Sequence, residues 1–325
     1  MSVGLLKYAV ALCTLVAVLP CKAMAGEQDV VVRSAWGSIA ATLASATAPS
    51  DTAVLIVAGS GPTDRDGNSG LGLTSYTYKY LSDALMERGF DVLRYDKRGV
   101  GQSRVNAMAV ADVRFGDFVD DAVSCVGHLR AMGYERVVVA GHSEGALIAL
   151  EMAQRDDVTI DGVVLLCGPG YTLDVILKRQ LAAQLIPAKI GLMFASLRII
   201  SSLDRGEMVS LKDIPAELIT IFHPSSQPFI ISMMECDPQQ LAKQCEVPML
   251  VVSGGRDIQV TEDNGERLAA AASAEHIVLA DMCHVLKACN TTDRMEQLMT
   301  VYSDAKLPLA DGLVDAIEQF VNTLR

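Results

Sequence analysis

Short, uninterrupted apolar runs alternate with helix-period stretches along most of this chain. The apolar runs fall at Val30–Ser34, Ser38–Ala46, Ala53–Ala58, Val92–Tyr95, Val137–Ala140, Val163–Cys167, Met249–Ser253 and His276–Leu279. The first two flank Ala35-Trp36-Gly37 and read as a hairpin. From Ala53 onward the runs lack a polar face, the pattern of strands buried on both sides. Apolar residues recur at helical spacing in Tyr76–Arg88, Asp117–Met132, Ala146–Arg155, Glu262–Ala272 and Leu313–Thr323. Strand and helix in alternation predict an α/β fold, a doubly wound and mostly parallel sheet whose ligands bind beyond the carboxyl ends of the strands.

One stretch breaks the alternation. Residues 171–245 hold helix-period segments such as Val175–Ile186 and Ile190–Ile200, punctuated by Pro187, Pro215, Pro224 and Pro228. They predict a helical cap inserted after the sixth core strand, dividing the core into residues 26–170 and 246–325. The first 25 residues follow another logic. Lys7 precedes the apolar run Tyr8–Leu19, too short to span a bilayer, and Ala23-Met24-Ala25 offers an A-x-A cleavage site. This is the pattern of a signal peptide and predicts a secreted or periplasmic protein of about 300 residues, enough for one α/β domain with an insertion.

The formal net charge is −12, and removing Lys7 and Lys22 from the 27 basic residues leaves 25 against 39 acidic, or −14. With no basic stripe, nucleic acid is a poor partner. Of eight cysteines, Cys13 and Cys21 fall in the leader. Cys125 and Cys167 lie in a helix and at a strand end, as buried thiols do. Export permits bridges between Cys236 and Cys245 and between Cys283 and Cys289, with paired buried thiols as the alternative. No Cys or His spacing suits zinc, and no metal or cofactor is expected.

The chemistry concentrates at strand ends. Gly141-His142-Ser143-Glu144-Gly145 stands between the strand ending at Ala140 and a helical stretch, the order strand, G-x-S-x-G, helix that a nucleophile elbow requires. A serine hydroxyl needs a base to take its proton, and the base needs a third group to fix its tautomer. Asp257 follows the strand Met249–Ser253 and His284 follows the last strand, so Ser143, Asp257 and His284 arrive in the order this elbow demands. Asp281 is the rival carboxylate. His142 precedes the nucleophile and is expected to point away and pack. His128, His276 and His223 read as structural or surface residues. Oxyanion donors are expected from the amides of Glu144 and Ser60, with Gly61 second, in the loop Gly59-Ser60-Gly61-Pro62-Thr63-Asp64-Arg65-Asp66-Gly67-Asn68. Its acids do not follow a calcium-loop pattern, and Gly99-Val100-Gly101 is no dinucleotide fingerprint.

The elbow, the segment Tyr95-Asp96-Lys97-Arg98-Gly99-Val100-Gly101-Gln102-Ser103 and the positions of Asp257 and His284 resemble the α/β-hydrolase superfamily. The loop from Gly59 to Asn68 is similar to that of a subgroup of bacterial carboxylesterases. The resemblance implies a serine carboxylesterase that forms an acyl-enzyme on small acyl esters without a cofactor. It is weakest in the cap, where Met193, Phe194, Met208, Met233 and Met234 are candidates for an acyl pocket and equally for helix core. Two further readings stand beside it. Serine aminopeptidases share the scaffold and would need a carboxylate for the substrate amine, with Glu144 and Glu235 as candidates. A non-catalytic binding protein on the same fold is the other.

Overall fold

The computed structural model describes residues 26–70, 73–103 and 112–324; the signal peptide expected at residues 1–25 lies outside them. A hairpin of β1 (Gly26–Ser34) and β2 (Gly37–Ser45) opens the chain. The remaining strands of the main sheet are β3 (Thr52–Val57), β6 (Asp91–Tyr95), β7 (Arg136–His142), β8 (Gly162–Leu166), β9 (Met249–Gly254) and β10 (Glu275–Leu279). Their order is β1-β2-β6-β3-β7-β8-β9-β10, antiparallel across β1–β2 and β2–β6 and parallel from β6 to β10. This is the α/β-hydrolase fold.

The period-two geometry of a strand sends alternate side chains to opposite faces, and here both faces are covered. Ala53, Leu55, Val57, Val137, Val139 and Leu165 pack against α2 (Phe115–Ala131) and α3 (Glu144–Met152). Val54, Ile56, Val138, Ala140, Leu166 and Val252 pack against α1 (Thr77–Glu87) and α11 (Leu313–Thr323). That is why these strands show continuous apolar runs and no polar alternation. Parallel pairing has a functional consequence as well. It brings the residues following β3, β6, β7 and β9 to the same edge of the sheet.

Between β8 and β9 lie α4 (Leu173–Leu185), α5 (Ile190–Asp204), α6 (Ile219–Phe222), α7 (Gln227–Met234) and α8 (Pro238–Gln244). This insertion has its own core, built from Leu181, Ile199, Ile200, Leu203 and Phe222 among others. Three kinds of element escape the sequence pattern: the ribbon of β4 (Asn68–Ser69) with β5 (Leu73–Thr74), the short helices α6 to α8, and α10 (Arg294–Thr300). Each is too short to show a period. The helix α9 (Glu262–Ala272) completes the layers.

All six cysteines among the described residues are free thiols, and neither candidate bridge forms. The Cys236 and Cys245 sulfurs donate to different carbonyls, of Ser232 and Val247. Around His284 the chain folds back on itself with Met282 paired to Ala288. Cys283 donates its amide to Lys287 and Cys289 donates to Asp281, so the two cysteines are staggered across the pairing and not opposed. A bridge needs close, facing Cβ atoms. Titrating the unreduced protein, freed of residues 1–25, with a thiol reagent in denaturant should therefore find all six thiols; four or fewer would mean that a bridge exists.

Candidate active site

Crowding decides the local backbone at Ser143. A Cβ on Gly141 would lie 2.1 Å from the Gly145 carbonyl oxygen, and one on Gly145 would lie 2.2 Å from that of Val57. Only hydrogen fits at either place, so the strand-to-helix turn closes tightly. Ser143 then sits at φ 55°, ψ −118°, outside the usual regions for an L-residue. Such a conformation costs on the order of 1–3 kcal/mol and persists when its surroundings hold it. The Ser143 amide donates to Leu166 O at 2.9 Å, tying the turn to β8.

The structure brings the three separated residues together. His284 Nε2 lies 3.1 Å from Ser143 Oγ, and His284 Nδ1 lies 2.7 Å from Asp257 Oδ2. The other carboxylate oxygen of Asp257 accepts from the amides of Gln259 (2.8 Å) and Val260 (2.9 Å). With the carboxylate so held, Nδ1 carries a proton and Nε2 is left to accept one from Ser143. Asp281 is not in this chain: its side chain is exposed and lies 3.6 Å from Arg256. Cys167 follows β8 beside Asp257, and burial, then the neighbouring carboxylate, pushes its thiol well above the usual range. Cys167, Asp257 and His284 form the one grouping of metal-ligand type among the described residues. It fits a metal poorly, because Asp257 and His284 are already bonded to each other and the thiol is held protonated.

The loop after β3 abuts the elbow, with the Cβ position of Gly59 3.1 Å from that of Ser143. The Gly59 amide is engaged, donating to Tyr78 Oη at 2.8 Å. The Ser60 amide makes no hydrogen bond among the described residues, and Ser60 lines the cleft over Ser143. Glu144 opens α3, where an N–H has no intrahelical partner. These two amides are thus available to an oxygen at Ser143. Gly61, the second candidate, lines a neighbouring cleft.

His142 does more than pack. Its Nε2 is 2.7 Å from the carbonyl oxygen of His284, which can only accept, so Nε2 carries the proton. Nδ1 therefore accepts from the Tyr78 hydroxyl, 2.8 Å away. A continuous chain results: Gly59 amide to Tyr78, Tyr78 to His142, His142 to the His284 backbone. Burial, with the nearby His284 ring second, pushes His142 down to about 3, so it stays neutral. Neither Tyr78 nor this bridge was legible in the sequence, where His142 shows only as the residue before the serine. Of the other histidines, His276 bonds Ser253, His223 bonds Ser225 on the surface, and His128 is half-buried.

Above Ser143 lies a cleft of about 420 Å³, walled by Leu147, Leu173, Ile176, Leu177, Ile221 and Met233. A second, of about 960 Å³, adjoins it across Ser60 and Glu144. Of the five apolar candidates for an acyl pocket, Met233 alone reaches either cleft. Met193 and Met234 belong to the core of the insertion, while Phe194 and Met208 are exposed. Met193, Phe194 and Met234 are turned to other faces of their helices, and Met208 lies in the segment after α5. Glu144 is the one carboxylate on either cleft wall among the described residues, and Lys97 engages it at 3.2 Å. Glu235 is exposed and lines neither.

The family described as serine aminopeptidase, S33 matches this chain over residues 68–286. Esterase EstD of Thermotoga maritima is 30% identical over 265 residues, covering 80% of this chain; the chain spans 60% of that esterase's length. Among solved structures, the Pyrococcus furiosus esterase Pf2001 superposes with a TM-score of 0.55 at 16% identity, covering 91% of this chain and 92% of its own. A Thermogutta terrifontis esterase gives 0.54 at 19%, covering 91% and 99%. At these identities the superpositions speak to the fold.

The neutrality of His142 predicts an acid sensitivity. Its folded value of about 3 lies below its ordinary 6.5, so below pH 6.5 the unfolded chain binds a proton that the native chain refuses. Stability is complete above about pH 6.5 and declines toward pH 3, by up to about 1.4 kcal/mol per pH unit from this group. Urea unfolding at pH 6.5 and 4.5 should show a smaller acid loss in His142→Asn than in the native protein. Equal losses would mean that His142 does not carry this effect.

Proposed function

The chain belongs to the serine aminopeptidase S33 family, and we propose that it is a carboxylesterase working through Ser143, His284 and Asp257. His284 Nε2 takes the Ser143 proton as Oγ attacks the ester carbonyl, and Asp257 stabilises the resulting imidazolium. The carbonyl oxygen gains negative charge and accepts hydrogen bonds from the Ser60 and Glu144 amides. His284 returns the proton to the departing alcohol, leaving an acyl group on Ser143. Water then repeats the sequence: His284 takes its proton, the hydroxide attacks the acyl carbon, and Oγ leaves with the proton. The reaction needs no cofactor. We also propose that residues 1–25 are a signal peptide that exports the protein.

One observation favours an ester over a peptide with a free amino terminus. Apolar surface predominates in the clefts, and their one carboxylate, Glu144, is engaged by Lys97. An aminopeptidase needs an accessible anion to hold the substrate ammonium, since an unpaired charge brought into an apolar cleft is costly. An uncharged acyl group meets no such cost. The helical insertion then acts as a cap over the acyl group.

The purified protein should turn over a short-chain p-nitrophenyl ester and leave an aminoacyl p-nitroanilide nearly untouched. A preference for the anilide would replace this reading with the peptidase. Ser143→Ala and His284→Ala should each lower kcat roughly 10⁴-fold or more, and the double variant should lose little beyond either, because the residues act as a unit. Turnover near the native level in purified Ser143→Ala would remove the serine from the mechanism.

Asp257→Asn should cost kcat severely, by leaving His284 in the wrong tautomer, whereas Asp281→Asn should change kcat less than about threefold. The reverse ranking would move the carboxylate role to Asp281.

A further inference from the structure

Lys97 is 1% exposed, an unusual place for a lysine, and it stands at the end of β6 on the same sheet edge as Ser143. Its Nζ donates to the carbonyl oxygen of Gly59 at 2.5 Å and to Glu144 Oε1 at 3.2 Å. The Gly59 carbonyl and the Ser60 amide belong to one planar peptide unit. Glu144 supplies the other candidate donor from its own backbone. One ammonium group therefore grips both partners of the oxyanion site from behind.

We propose that Lys97 is a positioning residue of the oxyanion hole, holding the Gly59–Ser60 peptide and the Glu144 side chain so that the two amides converge on one oxygen. This rests on the esterase reading above.

Three features support it. First, the Lys97 backbone cannot drift, because both neighbours are clamped. Asp96 accepts from the Arg65 amide, the Arg65 guanidinium and the Gln102 amide, and Arg98 donates to both oxygens of Asp121. Second, the Gly59–Ser60 unit is fixed at its start, since the Gly59 amide donates to Tyr78. With Lys97 on the carbonyl, the peptide plane cannot rotate and the Ser60 N–H keeps its direction. A cation on the carbonyl also polarises the peptide, making its N–H a stronger donor. Third, burying an ion pair is a poor route to stability, and an apolar pair of similar size often serves as well. A buried lysine bonded to the peptide of one donor and the side chain of the other is better explained by what it positions.

The test uses the full-length chain with Lys97→Met/Glu144→Gln, which removes both charges and leaves neither group buried alone. Lys97→Met/Glu144→Met carries the same test should the first variant not fold. Circular dichroism and thermal unfolding establish the folded state. Each protein is then assayed with p-nitrophenyl butyrate and with a trifluoromethyl ketone, whose adduct on Ser143 places an oxyanion in the hole. We expect kcat to fall 10- to 100-fold with KM changed less than about threefold, because a displaced donor matters most where charge develops. The ketone's inhibition constant should weaken by the factor lost in kcat/KM. Lys97→Arg, which can still donate to the Gly59 carbonyl, should recover part of both. A folded double variant with native kcat and native ketone affinity would reduce Lys97 to a structural residue, leaving the esterase reading intact. A native protein without ester turnover would instead overturn that reading, and this proposal with it.

Discussion

The candidate site depends on how closely the first turn of α3 approaches the end of β3. Gly145 has no side chain, so the helix start settles against the Val57 and Ala58 carbonyls. A methyl group there would meet backbone, which cannot move aside as a flexible side chain can. The approach sets three things at once. It places Ser143 in its strained conformation, turns the first free amide of α3 toward the cleft, and brings the Gly59–Ser60 peptide beside that amide. All three follow from packing between α3 and β3, whose apolar residues share one buried cluster.

Around this contact the protein uses two kinds of polar tether with different energetics. On one side Tyr78 and His142 link the Gly59 amide to the His284 backbone through neutral groups. Neutral groups can be buried at modest cost when each is satisfied, and such a chain rigidifies without creating a field. On the other side Lys97 and Glu144 carry full charges. Their opposite signs nearly cancel at a distance, so their influence is confined to the groups they touch. The neutral tether therefore serves the base as well as the loop, while the charged one serves the loop and α3. Burial holds His142 neutral, which keeps a second positive charge away from His284 as it becomes an imidazolium in the proposed mechanism.

What the sequence revealed follows from the range of the interactions involved. The strands and the long helices announce themselves through local period, and Glu262–Ala272 and Leu313–Thr323 match their helices residue for residue. Ser143, Asp257 and His284 were legible because each follows a strand, and parallel strands bring such positions to one edge. Lys97 also follows a strand, yet its partners lie 38 and 47 residues away and no spacing rule connects them. The cue was a lysine two residues after a fully buried strand, where a charge must find partners. The cysteine pairs stayed open in the sequence because nearness along the chain says little about facing across a tight turn. Five apolar residues of the insertion looked equivalent by composition, and which element each lies on and which face it takes separate Met233 from the rest.

The insertion is built as a unit with a core of its own. Its core of Leu181, Ile199, Leu203 and Phe222 is separate from the two clusters that sandwich the sheet. The insertion meets the rest of the protein at several places: α8 packs on α9 and α3, Gln180 and Arg179 of α4 reach Gln259 and Asp263, and α7 packs on α2. On one side of α7 Ile230 and Met234 enter the insertion core. On the other, the Phe229 ring packs 5.2 Å from Phe118 and 6.2 Å from Phe115, and Ser232 accepts the Phe115 amide. Met233, between these faces, reaches the cleft. Phe118 also lies under Lys97, whose Nζ is 5.2 Å from its ring centroid. A change of helix packing in α7 would therefore be felt first at Met233 and Phe229, and through Phe118 at the lysine behind the Gly59–Ser60 peptide. The Ser143–His284–Asp257 chain is held by the sheet, its loops and Tyr78 of α1. The insertion touches it at one remove, where Gln180 donates to the carbonyl of Gln259, whose amide holds Asp257.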